Sequence, residues 1–322
     1  MRAEKIRIQN GQEVELSKII LGTAEYGSTT PRELALQMMD KYFEAGGRTI
    51  DTAREYLDYI PFGASQSELT IAKWLRANGV RDQMTIITKG GCPETHRLSI
   101  RRVDPKCLEN DLMTSLAILD IPYVDGFLVH KDDESVPVAE IMDGLHELVQ
   151  AGYTRFIGAS NWRVERINEA NAYALKNGKT PFSLSEIYWN MAMPVPGCAG
   201  TPDNVIMNDE QYTGYLENKL PVLAYSSQAV GFFSKYLNGE ALQQFRAQML
   251  LTEGNKARAE RCKAICDKYG VSPAAVCLAY ISCNKVQGFP LFGSSKMQQF
   301  EESLQAFDLV ISQEDIDFIT GS

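Results

Sequence analysis

The feature that most constrains this chain is a rhythm: short apolar runs rich in β-branched and aromatic residues alternate, from end to end, with longer stretches of helical period. Eight such runs can be counted, at residues 18–24 (KIILGTA), 49–53 (TIDTA), 85–89 (TIITK), 126–130 (GFLVH), 155–160 (RFIGAS), 184–190 (LSEIYWN), 220–226 (LPVLAYS) and 288–294 (GFPLFGS). The stretches between them read as helices. In PRELALQMMDKYFEAGG, Leu34, Leu36, Met39, Tyr42 and Phe43 gather near one helical face, and Gly46 with Gly47 supplies a stop. LENDLMTSLAILDI and VAEIMDGLHELVQAG behave likewise. Alternating strand and helix signals specify a parallel sheet with helical crossovers, and eight parallel strands close into a barrel more readily than they lie open. The expectation is one α/β domain over residues 1–322, a (β/α)8 TIM barrel without a linker-like break in composition. Three connections, 57–67, 90–104 and 191–211, exceed the usual length of about 4–6 residues. Each follows the C-terminal end of a strand, the face on which barrels build their sites, so these long loops are candidates for lids or specificity elements.

Charge and cysteine usage narrow the partners. With 32 Lys and Arg against 41 Asp and Glu, a net charge of −9, the chain lacks the basic surplus that nucleic acid or an anionic membrane rewards, and neither is expected as a partner. The cysteines, Cys92, Cys107, Cys198, Cys262, Cys266, Cys277 and Cys283, are odd in number and form no CxxC pair, which argues against a disulfide framework and against a zinc site. Cys262 and Cys266, four apart on an expected helix with no histidine near, read as structural, and no metal is expected. The opening MRAEKIRIQNGQEVELSK holds no signal-like apolar run, and eighteen apolar residues never occur in succession, so a cytoplasmic location with reduced thiols is expected.

Four residues carry chemistry. Asp51 and Tyr56 stand in GRTIDTAREY, Lys89 ends TIITK and His130 ends GFLVH, so Asp51, Lys89 and His130 lie at or near the ends of three successive strands and can converge on one mouth. Singly, each has an ordinary reading: Asp51 as a helix cap, Tyr56 as a packing residue, Lys89 as a rim cation, His130 as a satisfied core histidine. Together, with the Asp-x4-Tyr spacing, they resemble the aldo-keto reductase superfamily, and the resemblance covers nearly the whole chain. LGTAEYG at 21–27, RFIGASNW at 155–162, VLAYS at 222–226 and LFGSSKMQQFEESL at 291–304 add to it.

The resemblance implies an enzyme that moves a hydride between a nicotinamide cofactor and a carbonyl or alcohol. Tyr56 would be the general acid in reduction and, as phenolate, the base in oxidation. A free tyrosine has a pKa of about 10, and a neighbouring Lys89 ammonium is expected to lower it, with Asp51 holding Lys89 charged. His130 would hydrogen-bond the carbonyl oxygen. The cofactor would lie across the barrel mouth without a GxGxxG fingerprint, which is absent here. Gly22, Thr23 and Asp51 would line its path. Ser160 and Asn161 would bond the nicotinamide carboxamide, and Tyr225, followed by Ser226, would stack on the ring. The family's third carboxamide partner is a glutamine; this chain has Glu186 there, with Ser185 as the one-residue alternative, and a carboxylate cannot donate to a carbonyl unless protonated.

Gly293, Ser294 and Ser295, before a helix starting near Met297, form an expected phosphate site. The family's arginine for the 2′-phosphate of NADP reads Ser295 or Gln299, and the asparagine near the adenine reads Ser303; Glu302 lies between them, and Lys296 alone supplies positive charge. NADP is the first choice of cofactor, NAD the alternative. Tyr26, Tyr59, Phe62, Trp162, Trp189, Phe232 and Phe233 are candidates for the substrate wall, and Asp58, Ser65 and Gln66 beside the loop aromatics suit a sugar-like substrate. Two other readings stand beside this one: a barrel lyase using Lys89 as a Schiff base, and a cofactor-binding sensor with slow turnover. Substrate identity, direction and oligomeric state are left open by the sequence.

Overall fold

The structure is a computed structural model that describes residues 1–93, 102–198 and 203–321, so parts of the 90–104 and 191–211 connections lie outside the described residues. Ten strands are formed among them: β1 (Ala3–Arg7), β2 (Glu13–Ser17), β3 (Ile20–Gly22), β4 (Thr49–Asp51), β5 (Thr85–Gly90), β6 (Val124–Val129), β7 (Thr154–Ser160), β8 (Phe182–Tyr188), β9 (Val222–Tyr225) and β10 (Gly288–Phe292). Strands β3 to β10 run parallel in chain order and close into a barrel, with Leu291 of β10 in register with Ile20 of β3. Each of the eight expected runs therefore holds one barrel strand. Six of the strands stop short of their runs at the C-terminal end, and there Thr23 and Thr52 turn into the mouth with their amides still bonded to the carbonyls of Asp51 and Ile87 at 3.1 and 2.9 Å.

The helices are α1 (Arg32–Glu44), α2 (Gln66–Asn78), α3 (Pro105–Leu119), α4 (Val138–Gln150), α5 (Val164–Lys176), α6 (Asp209–Asn218), α7 (Phe232–Leu237), α8 (Gln244–Leu250), α9 (Glu253–Tyr269), α10 (Pro273–Ser282), α11 (Met297–Leu304) and α12 (Gln313–Thr320). In α1 the inward stripe is Ala35, Met38, Met39 and Tyr42, while Leu34, Leu36 and Phe43 flank it half-buried. The Tyr42 hydroxyl donates to the carbonyls of Ile19 and Thr49 at 2.9 and 2.8 Å, tying the helix to two strands. Gly47 allows that approach, because a Cβ there would sit 2.4 Å from the Tyr42 ring.

Strand alternation sorts the barrel into an outer face against the helices and an inner face. Ile20, Ile87, Leu128, Phe156, Leu184, Leu223, Phe289 and Leu291 fill the inside. Gly126 leaves room for Phe156, whose ring would lie 2.4 Å from an added Cβ. The bottom is closed by β1 and β2, an antiparallel hairpin absent from the eight-run reading, whose Ile6, Ile8, Val14 and Leu16 join the same interior cluster. A second apolar cluster packs α7, α9, α10 and α12 beside the barrel. No helix among the described residues is long and apolar enough to cross a membrane, and among them no group of His, Cys, Asp and Glu is placed to hold a metal.

Candidate active site

The alternation that fills the barrel also builds its mouth. Two residues beyond the interior-filling Ile20, Ile87, Leu128, Leu184, Leu223 and Leu291 come Gly22, Lys89, His130, Glu186, Tyr225 and Gly293, on the same inward face one layer higher. Asp51 joins them because its neighbour Ile50 points outward into the helix layer. Above this layer opens a cleft of about 940 Å3, large among small-molecule sites.

At one end Lys89 is wholly enclosed. Its ammonium lies 2.6 and 2.7 Å from the two carboxylate oxygens of Asp51, 3.0 Å from the Thr52 carbonyl and 2.8 Å from the Tyr56 hydroxyl. Glu186 Oε1 lies 3.3 Å away, so two carboxyl groups face one cation. Tyr56 in turn donates to Asp51 Oδ1 at 3.1 Å. Asp51 is steadied from beneath by Thr23, whose hydroxyl donates to the Asp51 carbonyl at 2.8 Å. His130 meets Tyr56 edge-on with ring centroids 5.9 Å apart.

The electrostatics follow from burial. Desolvation opposes the Lys89 charge, but the Asp51 carboxylate, with Glu186 beside it, outweighs it and holds its pKa above the ordinary lysine value. Burial, followed by the Asp51 charge, pushes Tyr56 well above its ordinary value despite the pull of Lys89. This corrects the expectation of a lowered tyrosine: the Lys89 charge is already matched by the Asp51 carboxylate, and Tyr56 stands as a neutral, proton-carrying phenol. His130 is lowered to about 3 by burial and by the Lys89 ammonium, so the imidazole is neutral. Glu186 is raised to about 8 by burial and the Asp51 charge, and among the described residues its Oε2 has no hydrogen-bond partner.

The remaining cleft positions fall where the sequence put them, with different occupations. Ser160 ends β7 and Asn161 follows it, but Asn161, at φ 58°, spends its side-chain oxygen on the Tyr225 hydroxyl at 2.7 Å and the Val205 amide at 3.3 Å. Tyr225 packs edge-on against Tyr188 at 5.8 Å. Ser226, Gly293, Ser294, Ser295, Lys296, Gln299 and Glu302 line the far arm. Ser303 also lines it but is occupied, accepting from Gln228 at 2.8 Å and donating to the Gln299 carbonyl at 2.8 Å. Lys296 is the N-cap of α11 and makes no side-chain cap, so the first amides of that helix lack a side-chain cap.

Most of the expected aromatic wall is elsewhere. Trp162 is fully buried against Phe182, with centroids 5.4 Å apart, and Trp189 packs on Tyr212 at 6.4 Å; both face the helix layer. Phe232 and Phe233 belong to the second cluster around α9. Tyr59 and Phe62 stand out in solvent, 64% and 96% exposed, and do not line the cleft. Tyr26 alone of the set lines it, its hydroxyl against the Met38 sulfur at 3.7 Å. Ser185 points outward to the Tyr215 hydroxyl at 2.9 Å, which leaves Glu186 as the inward residue of β8. The eight-run reading missed Lys131, directly after His130, and Lys235 and Arg246, cations of α7 and α8 that line the far arm. The first was marked by its place beside a strand end; the other two lie in a helical insertion with no strand-end signal.

A barrel whose mouth joins a buried Asp-Tyr-Lys-His group to a long cleft with cations at its other end is the site of a nicotinamide-dependent oxidoreductase. Comparison with known proteins agrees. Residues 18–322 match the model of the aldo/keto reductase family. The aryl-alcohol dehydrogenase (NADP(+)) of Phanerodontia chrysosporium is 28% identical, over 96% of this chain and 83% of its own. The norsolorinic acid reductase stcV of Emericella nidulans is 27% identical, over 94% of this chain and 77% of its own. The solved structure of the thermostable aldo-keto reductase Tm1743 superposes with a TM-score of 0.71 at 21% identity, covering 100% of this chain and 99% of that one. The chain belongs to the aldo/keto reductase family and is an NAD(P)-dependent enzyme.

Proposed function

We propose that this enzyme interconverts a carbonyl and an alcohol with NADP as cofactor, using Tyr56 as the acid and base, Lys89 and Asp51 as its electrostatic support and His130 as the partner of the substrate oxygen. The observation that carries the reading is the Lys89 ammonium 2.8 Å from the Tyr56 hydroxyl inside a group that is otherwise enclosed.

The cleft fits the cofactor by its own chemistry. At the tetrad end a buried Glu186 oxygen lacks a partner, which an amide group would supply. At the other end lie the uncapped N-terminus of α11 and the cations Lys296, Lys235 and Arg246, which suit phosphates. Those three cations favour NADP over NAD, and one relative carries NADP(+) in its name. The bound cofactor supplies or receives the hydride. Tyr56 gives its phenolic proton to the substrate oxygen as the carbon is reduced, and Lys89 stabilises the phenolate left behind. In oxidation the phenolate takes the alcohol proton back. Asp51 keeps Lys89 charged and fixed by two short hydrogen bonds.

The same geometry disfavours the Schiff-base reading, because a nucleophilic lysine must be neutral and reachable, whereas Lys89 is enclosed and held charged. On the substrate side, Glu25, Lys131 and Asn204 line the cleft where aromatics were expected, which supports a hydroxylated or otherwise polar carbonyl compound. The test is Tyr56→Phe. It should lower hydride transfer at least a hundredfold, the usual scale of an acid–base contribution, while NADPH affinity by fluorescence titration changes less than about threefold, a shift of under roughly 1 kcal/mol. A variant with wild-type turnover would remove Tyr56 from the chemistry, and equal affinity for NADH and NADPH would remove the preference for NADP.

A further inference from the structure

The first turn of α2 reaches into the barrel rim with Ser67 and Glu68. The Ser67 hydroxyl lies 2.8 Å from that of Thr23, which follows β3, and 2.8 Å from that of Thr52, which follows β4. Glu68 beside it accepts from Thr88, the residue before Lys89. Thr23, Thr52 and Ser67 are shut away from solvent, at 2% exposure or less. Burial makes their proton count strict, because each hydroxyl has one hydrogen to give. Thr23 gives its hydrogen to the Asp51 carbonyl at 2.8 Å, an oxygen that only accepts. Ser67 must then donate to Thr23, and Thr52 must donate to Ser67. The hydroxyls form a chain with one direction, running from Thr52 to the backbone of Asp51.

We propose that Ser67 is a positioning residue for the tetrad: as the middle member of this chain it fixes Thr52, whose carbonyl takes one hydrogen of the Lys89 ammonium, and so keeps Lys89 aimed at Tyr56. Thr52 is branched at Cβ and stiff at χ1, so anchoring its hydroxyl also anchors the backbone that carries the carbonyl. That carbonyl lies 3.0 Å from Lys89 Nζ. An ammonium has three hydrogens, and the geometry assigns one to Asp51, one to the Thr52 carbonyl and one to the Tyr56 oxygen. Glu186 Oε1, at 3.3 Å, stands by as a further acceptor. Without the Ser67 hydroxyl, Thr52 carries a buried hydrogen that has lost its acceptor, and such a donor is costly to leave unpaired. Thr52 turns to relieve it and its carbonyl leaves Lys89. The freed ammonium hydrogen then goes to Glu186 and draws the charge away from Tyr56. The inference rests on the roles proposed for Tyr56 and Lys89, and adds a residue outside the tetrad on which both depend.

Ser67→Ala removes the hydroxyl and Ser67→Thr keeps it. In Ser67→Ala, kcat should fall about tenfold in both directions, the weight of one hydrogen bond to a charged group. KM for cofactor and substrate should stay within about twofold, as expected when only the transition state loses support. Tyr56 is faced by Lys89, Asp51 and Glu186, and edge-on by His130. Lys89 is the cation among these, so drawing it away should move the rise of alcohol-oxidation kcat with pH upward by about one unit. Ser67→Thr should keep kcat within about threefold of wild type, a difference of under roughly 1 kcal/mol. The enclosed Lys89 ammonium supplies a reading without turnover: a slowly exchanging 15N signal, assigned through the carbons of its own side chain, that shifts in Ser67→Ala and holds in Ser67→Thr. An unmoved signal with unchanged kcat in Ser67→Ala overturns the proposal. So does a loss carried by KM, or an equal loss of kcat in both variants at the wild-type melting temperature. Failure of the wild type to move hydride on any carbonyl or alcohol would instead overturn the proposed function, and the ammonium signal would still judge Ser67.

Discussion

Glu186 stands where the resemblance to the family implies a glutamine. Buried beside Asp51, it is raised to about 8, so at neutral pH it is a carboxylic acid with one donor and one acceptor, the same pair that an amide offers. Cofactor affinity should therefore weaken as pH rises through about 8, by roughly tenfold per unit beyond it for a single proton, and Glu186→Gln should bind NADPH with a flat profile. Fluorescence titrations between about pH 6 and 9.5 check this; parallel profiles for the two proteins would refute it. The tetrad itself was legible because Asp51, Lys89 and His130 lie at or beside strand ends with inward parity, and Tyr56 follows Asp51 at a fixed spacing in the loop after β4. Trp189 was misjudged for the same reason: it lies three positions from Glu186, an odd spacing, so a strand that aims Glu186 inward aims Trp189 at the helices. Trp162 was misjudged because the left-handed turn at Asn161 redirects the chain after β7, which no residue-type pattern announces.

Among the elements, α2 is docked to the barrel by a buried acid. Glu68 accepts from the Thr88 hydroxyl of β5 at 2.8 Å, its other oxygen has no partner among the described residues, and burial raises it to about 7. A folded pKa above the unfolded value of about 4.3 means that the stabilising contribution is complete below about pH 4.3 and is lost as pH climbs towards 7. Glu68→Gln should thus be more stable to unfolding than wild type at pH 8, by on the order of 3 kcal/mol, with no gain at pH 4. Calorimetry at the two pH values decides it, and an equal effect at both would place the cause elsewhere than in the proton. The strands and principal helices were legible from period alone. The hairpin of β1 and β2 was not, although Ile6, Ile8, Val14 and Leu16 alternate with polar residues around a glycine at φ 71°; an antiparallel pair falls outside a count of parallel-barrel repeats.

For the molecule as a whole, that hairpin and the active site occupy opposite ends of one interior. Leu16 is fully buried in the barrel's lower layer, remote from the tetrad along the strands. Leu16→Ala should cost about 2–5 kcal/mol of unfolding free energy, as such truncations do, yet leave hydride transfer within about twofold well below the melting temperature. Denaturant unfolding paired with an activity assay tests both halves, and a matched loss of activity would show that the two ends are coupled. The barrel could be read from the sequence because one rule, inward and outward by turns, governs every strand. The α7 and α8 insertion could not, because helices that cover a cleft follow no such repeat. The complete enclosure of Lys89 has a practical corollary: an amine-acylating reagent can reach that nitrogen only when the barrel opens, so the rate at which Lys89 alone acquires the label is a clock for the rarest excursions of the native protein.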